Sequence, residues 1–171
     1  TAQASDGVCG ISHCTLWEAI NAANTDGVLS VIELQAGATY TLVNFVDTTN
    51  GQNGLPSIIT QIIINGNESI IERASGLPCV IDENTAPEEF RIFSITASGD
   101  LTLNNLSVKN GCDGANGHGG GIRIQQGILN LNNSVVSDNT ALTGGGIINY
   151  SGTLNLNNST ITHNHADNGG G

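Results

Sequence analysis

Cationic side chains are scarce in this sequence: four Lys and Arg stand against 15 Asp and Glu, a formal net charge of −11. That balance excludes a nucleic-acid partner, whose binding depends on a basic surface. It also excludes electrostatic anchoring on an anionic membrane. There is no apolar run long enough to cross a bilayer, so membrane insertion of this segment is not expected. No signal peptide precedes Thr1, which leads to the expectation of a mature, processed export product. Aromatic residues make up only 4% and charged residues 11%, whereas Gly accounts for 23 of 171 residues. Such a composition is unusual for a compact enzyme and ordinary for a repetitive β-solenoid. The length suits one continuous domain with a sizeable core.

What is abundant is repetition. From Gly99 one unit is written three times: Gly99-Asp-Leu-Thr-Leu-Asn-Asn-Leu-Ser-Val, Gly127-Ile-Leu-Asn-Leu-Asn-Asn-Ser-Val-Val and Gly152-Thr-Leu-Asn-Leu-Asn-Asn-Ser-Thr-Ile. Each unit runs on to a glycine triplet, at Gly119 to Gly121, Gly144 to Gly146 and Gly169 to Gly171, with a spacing of 25 between triplets. A fixed period of this size marks a solenoid. Apolar residues alternate inside each unit, the period of a strand with one buried face. These features predict an all-β fold, a right-handed single-stranded parallel β-helix whose rungs each hold three short strands and three turns. Leu101, Leu129 and Leu154 should form one inward ladder, Leu103, Leu131 and Leu156 a second, and Val108, Val136 and Ile161 a third. The pairs Asn104-Asn105, Asn132-Asn133 and Asn157-Asn158 fall where the chain must bend, and their amides should bond along the axis.

Residues 1–27 lie outside the repeat and form a cap. Thr15-Leu-Trp-Glu18 reads as a capping box that starts a short helix with Leu16, Ala19, Ile20 and Ala23 on one face. That face, with Trp17, is expected to close the first rung. Residues 28–98 hold less regular rungs, with strands at Val28 to Leu34, Thr39 to Val43, Gln61 to Ile64, Ser69 to Ile71, Val80-Ile81 and Arg91 to Ile95, and a loop at Asn44 to Pro56. Residues 99–171 hold the regular repeats. Counting about 24 residues per rung from Val28 gives roughly six rungs and a rod about 29 Å long. Four cysteines suit two disulfides in an oxidising compartment, with reduced buried thiols as the alternative. The expected pairs are Cys9–Cys14 and Cys79–Cys112, the second holding the insertion Cys112 to Gly117 against the body.

The segment Cys14-Thr-Leu-Trp-Glu-Ala-Ile-Asn-Ala-Ala-Asn24 resembles the "CSLREAI" motif at the N-terminus of secreted bacterial and archaeal β-helix surface proteins. Val31-Ile-Glu-Leu34, Gly37-Ala-Thr39-Tyr-Thr-Leu42, Gly54-Leu-Pro56, Ile62-Ile-Ile-Asn-Gly66 and Phe90-Arg-Ile-Phe93 are similar to later blocks of that family. The resemblance implies the β-helix fold and a secreted or cell-surface location. Trp17 stands where the family usually carries Arg, so an ion pair made by that Arg is absent.

Candidate chemistry is thin. Gly117-His118-Gly119 resembles the GHG motif of polygalacturonases, but the paired carboxylates that such hydrolysis needs are missing from the sequence. Glu88-Glu89 is a carboxylate pair whose members should point apart on a strand. Lyase chemistry would draw its basic residue from Arg73, Arg91, Lys109 or Arg123. His163 and His165 should share a face, yet no third ligand accompanies them, so no metal or other cofactor is expected. Sequons occur at Asn67, Asn105, Asn132, Asn149, Asn157 and Asn158. The expected function is structural and extracellular: an adhesin stalk, or a filament subunit that self-associates head to tail through Leu154, Leu156 and Gly169, Gly170 and Gly171. The alternatives are a carbohydrate-active β-helix enzyme and a carbohydrate-binding module, and surface glycans are possible partners in either role.

Overall fold

Strands that are apolar on one face must bury it, and here they do so by stacking. In the computed structural model, which describes residues 14–82, 84 and 86–168, the chain winds into a parallel β-helix of about five turns, preceded by one helix. The elements are α1 (Leu16–Asp26), β1 (Ser30–Glu33), β2 (Thr39–Leu42), β3 (Gln61–Arg73), β4 (Phe93–Ile95), β5 (Asp100–Lys109), β6 (Cys112–His118) and β7 (Ile122–Gln125). They continue with β8 (Ile128–Asn132), β9 (Val135–Ser137), β10 (Thr140–Thr143), β11 (Ile147–Tyr150), β12 (Thr153–Asn157), β13 (Thr160–Thr162) and β14 (His165–Asn168). One eight-stranded sheet, running β1-β3-β5-β8-β12 and joined by β2, β9 and β13, bends over a corner to form two faces. The strands β4-β7-β11 and β6-β10-β14 form the other two sheets.

The three expected ladders are in register. Ile62, Leu101, Leu129 and Leu154 align, as do Ile64, Leu103, Leu131 and Leu156, and Ile71, Val108, Val136 and Ile161. Leu101, Leu103, Leu129 and Leu131 are fully buried, and each such side chain contributes about 1.5–3 kcal/mol. Leu156, in the last described rung, is 50% exposed.

Several expectations need correction. A regular rung holds four strands, β7 to β10 and again β11 to β14, rather than three. Each corner takes a residue with left-handed backbone: Asn105, Asn133 and Asn158 at the first, Asn110, Asp138 and His163 at the second, Gly119 and Gly144 at the third, and Gln126 and Ser151 at the fourth. The turns also number about five, not six, because the early ones are long. Successive registers are 32, 39, 28 and 25 residues apart. Residues 43–52 and, among the described residues, those of 74–89 leave the solenoid as excursions between strands, whereas Asn53 and Ile58 pair in parallel with Arg91 and Ile95. Val80-Ile81 lies in the second of these and forms no strand, with Val80 52% exposed.

Asparagine ladders line the corners. Asn132 donates to the Oδ1 of Asn104, which donates to that of Asn65, both at 2.8 Å. A second, buried ladder lies beside the next corner. Asn139 donates to Asn164 Oδ1 at 2.9 Å and accepts from the Gly111 N–H at 2.8 Å, while Asn164 donates to the Val136 carbonyl at 3.0 Å. The glycine triplets have a steric cause: a Cβ on Gly145 would sit 2.0 Å from the His165 carbonyl oxygen.

The helix α1 begins on the expected capping box. The Thr15 N–H donates to Glu18 Oε2 at 2.7 Å and the Glu18 N–H to Thr15 Oγ1 at 3.2 Å, while Gly27, in left-handed conformation, ends the helix. Leu16, Ile20 and Ala23 are buried in the core at the first rung. Trp17 is only half-buried and lines a cleft of about 480 Å³ with Tyr40, Leu42 and Val46.

Cys79 and Cys112 form a disulfide with a Cα–Cα distance of 5.9 Å. It fastens the second excursion to β6, the reverse of the expected arrangement, because Cys112 to Gly117 belongs to the solenoid. That stretch bulges against β10, so that Ala141 faces Asp113 while Thr143 faces His118. Cys14 is disulfide-bonded; the expected partner Cys9, like Gly169 to Gly171, lies outside the described residues. Among the described residues no helix is long and apolar enough to cross a membrane.

Candidate functional site

The first excursion folds back on the face formed by β4, β7 and β11, and its shape is set by one carboxylate. Asp47 accepts the N–H and hydroxyl of Thr49 at 2.9 and 2.8 Å, the amide of Asn53 at 3.1 Å, and the N–H of Ser57 at 2.9 Å as well as its hydroxyl. Burial pushes this carboxyl up, but the hydrogen bonds from Ser57, Thr49 and Asn53 outweigh burial and hold it below its ordinary value.

Beneath the turn lies Arg91, 1% exposed. Its guanidinium donates to the Asn50 carbonyl at 2.9 Å, Asn53 Oδ1 at 2.8 Å and the Gly119 carbonyl at 3.2 Å, and it forms an ion pair with Asp113. Burial, then the like charge of Arg123, brings Arg91 down to about 9, against attraction from Tyr150 and Asp47, so it stays charged at neutral pH. Arg91 thus ties the first excursion and the β6 bulge to the solenoid.

Arg73 does the same for the second excursion. It is 4% exposed and donates to the carbonyls of Asn110 at 3.0 Å, Glu88 at 3.0 Å and Pro78 at 3.3 Å, with its guanidinium carbon 5.8 Å from the Phe90 ring centre. Burial lowers its pKa, opposed by Glu89. Glu88 and Glu89 lie in this excursion and not on a strand. Glu89 is buried and accepts the Val80 N–H at 2.8 Å. Of the other two cations, Lys109 pairs with Asp138 at 3.5 Å. Arg123 has no carboxylate partner among the described residues.

Arg123 is where the surface gathers functional groups. In β7, Ile122 and Ile124 point into the core and Arg123 and Gln125 point out. Tyr150 pairs with Gln125 across β11, which sets it diagonally beside Arg123. The Arg123 guanidinium lies 4.9 Å from the Tyr150 ring centre, a cation–π contact. It donates to Gln125 Oε1 at 2.9 Å and to the Asn50 carbonyl at 3.2 Å, the acceptor it shares with Arg91. The Nε is buried and has no hydrogen-bond partner. The His118 ring meets the edge of Tyr150 at 5.6 Å between centres, and its Nδ1 bonds the Thr143 hydroxyl. Partial burial, then Arg123 and Arg91, lowers the pKa of His118 and favours its neutral form at pH 7.

His118 therefore has a built environment, but it faces a cation and an aromatic ring rather than paired carboxylates. The nearby Asp113 and Asp47 are both committed to internal bonds. The Arg123–Tyr150 contact was not anticipated, although a period of 25 places Tyr150 two positions past the residue stacked on Arg123, and His118 and Thr143 are 25 apart. His163 and His165 do not act together. His163 sits at a corner with left-handed backbone beside the Thr162 hydroxyl at 3.0 Å, whereas His165 opens β14 and lies 3.4 Å from Asp167. Of the sequon asparagines, Asn67, Asn105, Asn149, Asn157 and Asn158 are exposed, and Asn132 is held in its ladder beside buried Ser134. Compared with protein-family models, curated proteins and solved structures, the chain matches none.

Proposed function

We propose that the chain is a structural extracellular module, a stalk of a surface adhesin or a subunit of an extracellular filament, and not an enzyme. The observation that carries this reading is where the buried and half-buried charges are spent. Arg73, Arg91, Asp47, Glu89 and Asp113 hold excursions and bulge on the solenoid, so none of these three carboxylates is free to flank a scissile bond. A stack of parallel rungs extends by about 4.8 Å per turn at constant cross-section, which suits spanning distance. The Cys79–Cys112 disulfide and the resemblance of Cys14 to Asn24 to secreted surface proteins support an oxidising, extracellular setting. In the filament form, the half-exposed Leu154 and Leu156 face belongs to a head-to-tail contact with another subunit. Immunogold electron microscopy of the native material tests the reading. Label along stalks or fibres outside the cell is expected, and label confined to the cytoplasm would refute it.

A further inference from the structure

We propose that Arg123, Tyr150 and His118 form a lateral binding site for one carboxylate of an acidic sugar chain, a role separate from the stalk and independent of it. With four Lys and Arg in the chain, the placement of each cation carries information. Arg73 and Arg91 are buried and Lys109 is paired. Arg123 alone is half-exposed with no counter-charge among the described residues. A guanidinium presents five N–H donors, and Arg123 uses two of them, toward Asn50 and Gln125. These two bonds and the Tyr150 ring fix its plane in advance, so little side-chain freedom remains to be lost on binding.

The chemistry of the surroundings narrows the ligand. A flat fork with unused donors matches a carboxylate. Tyr150 adds an amphipathic ring at the same spot, apolar in body and polar at the tip, which is the surface a sugar ring packs against. His118, fixed through Nδ1 by Thr143, keeps its other nitrogen for a hydroxyl or the carboxylate. The net charge of −11 disfavours a dense polyanion, sulfated or phosphorylated, and favours carboxylates spaced a sugar apart.

The test is a titration of the whole chain with a uronic acid trisaccharide and with the neutral trisaccharide obtained by reducing its carboxyl groups. Histidine and tyrosine ring signals are followed by NMR. Saturable shifts at His118 and Tyr150 with the acidic sugar are expected, the neutral sugar binding roughly ten- to hundredfold more weakly. Arg123→Gln should weaken the acidic sugar by a similar factor with unchanged melting temperature, and Tyr150→Leu should weaken both sugars. Equal affinity for the two sugars in the unmodified protein would overturn the proposal, as would shifts that bypass His118 and Tyr150 or the absence of any saturable shift.

Discussion

The guanidinium of Arg91 is paired with the carboxylate of Asp113, with side-chain exposures of 2% and 10%. Between them they join the excursion after β2 to the bulge in β6, two parts of the chain that no strand pairing connects. Removing one partner leaves the other charged and buried. Asp113→Ala should therefore cost roughly 3–5 kcal/mol, read from urea unfolding. A loss below about 1 kcal/mol would show that the pair is not what holds the excursion.

The ladders predict a gradient along the axis. Leu129 is fully buried and Leu156, one rung on in the second ladder, is half exposed. Leu129→Ala should cost about 2–5 kcal/mol, and Leu156→Ala clearly less in the isolated chain. Equal losses by thermal or urea unfolding would mean that the end rung is covered in solution.

Acid should weaken the fold in two stages. The pKa of His118 is lowered from 6.5, so below that value the unfolded chain takes up a proton that the folded chain resists, and stability falls until the folded pKa is passed. The pKa of Asp47 is lowered from 3.8, so its stabilisation is complete above that value and is lost as pH drops through the folded pKa. Melting temperature against pH should therefore fall below about 6.5, with that upper step missing in His118→Gln. A variant that keeps the same step would assign it elsewhere.

Reduction of Cys79–Cys112 releases a loop with a sequence separation of 33. The chain-entropy estimate is a loss of roughly 3–4 kcal/mol. Protease should then cut the second excursion first, which mass spectrometry would locate between residues 74 and 89. Cleavage in the regular rungs instead would contradict that anchoring.

At the other end, Ile20 is fully buried and Leu16 nearly so. Leu16→Asp with Ile20→Asp should destabilise the chain by several kcal/mol, in the range of about 2–5 for each site. Unchanged thermal stability would remove α1 from its role as a cap.

Much of the fold was legible because stacking copies local pattern into three dimensions. The Leu-x-Leu alternation and the Asn pairs set the ladders and one corner, and Thr15 and Glu18 set the cap. The fourth strand of each rung was missed because corners at Asp138 and Gln126 lack the repeated Asn-Asn signature and rest on single left-handed residues. The five-turn count was hidden by excursions, whose lengths follow no period. The site was less legible still. Arg91 meets Asn53 and Asp113 through loop geometry that no spacing encodes, whereas Arg123 beside Tyr150 follows from the rung period once the strands are placed correctly.

The structural role is tested most directly by incubating the purified chain with a panel of uronate and neutral polysaccharides and measuring new reducing ends and unsaturated products. No turnover above background is expected, because Asp113 and Asp47 are held in internal bonds and His118 faces Arg123 and Tyr150. Turnover that disappears in His118→Ala, with the fold intact by circular dichroism, would contradict a structural role and make the β4-β7-β11 face an active site.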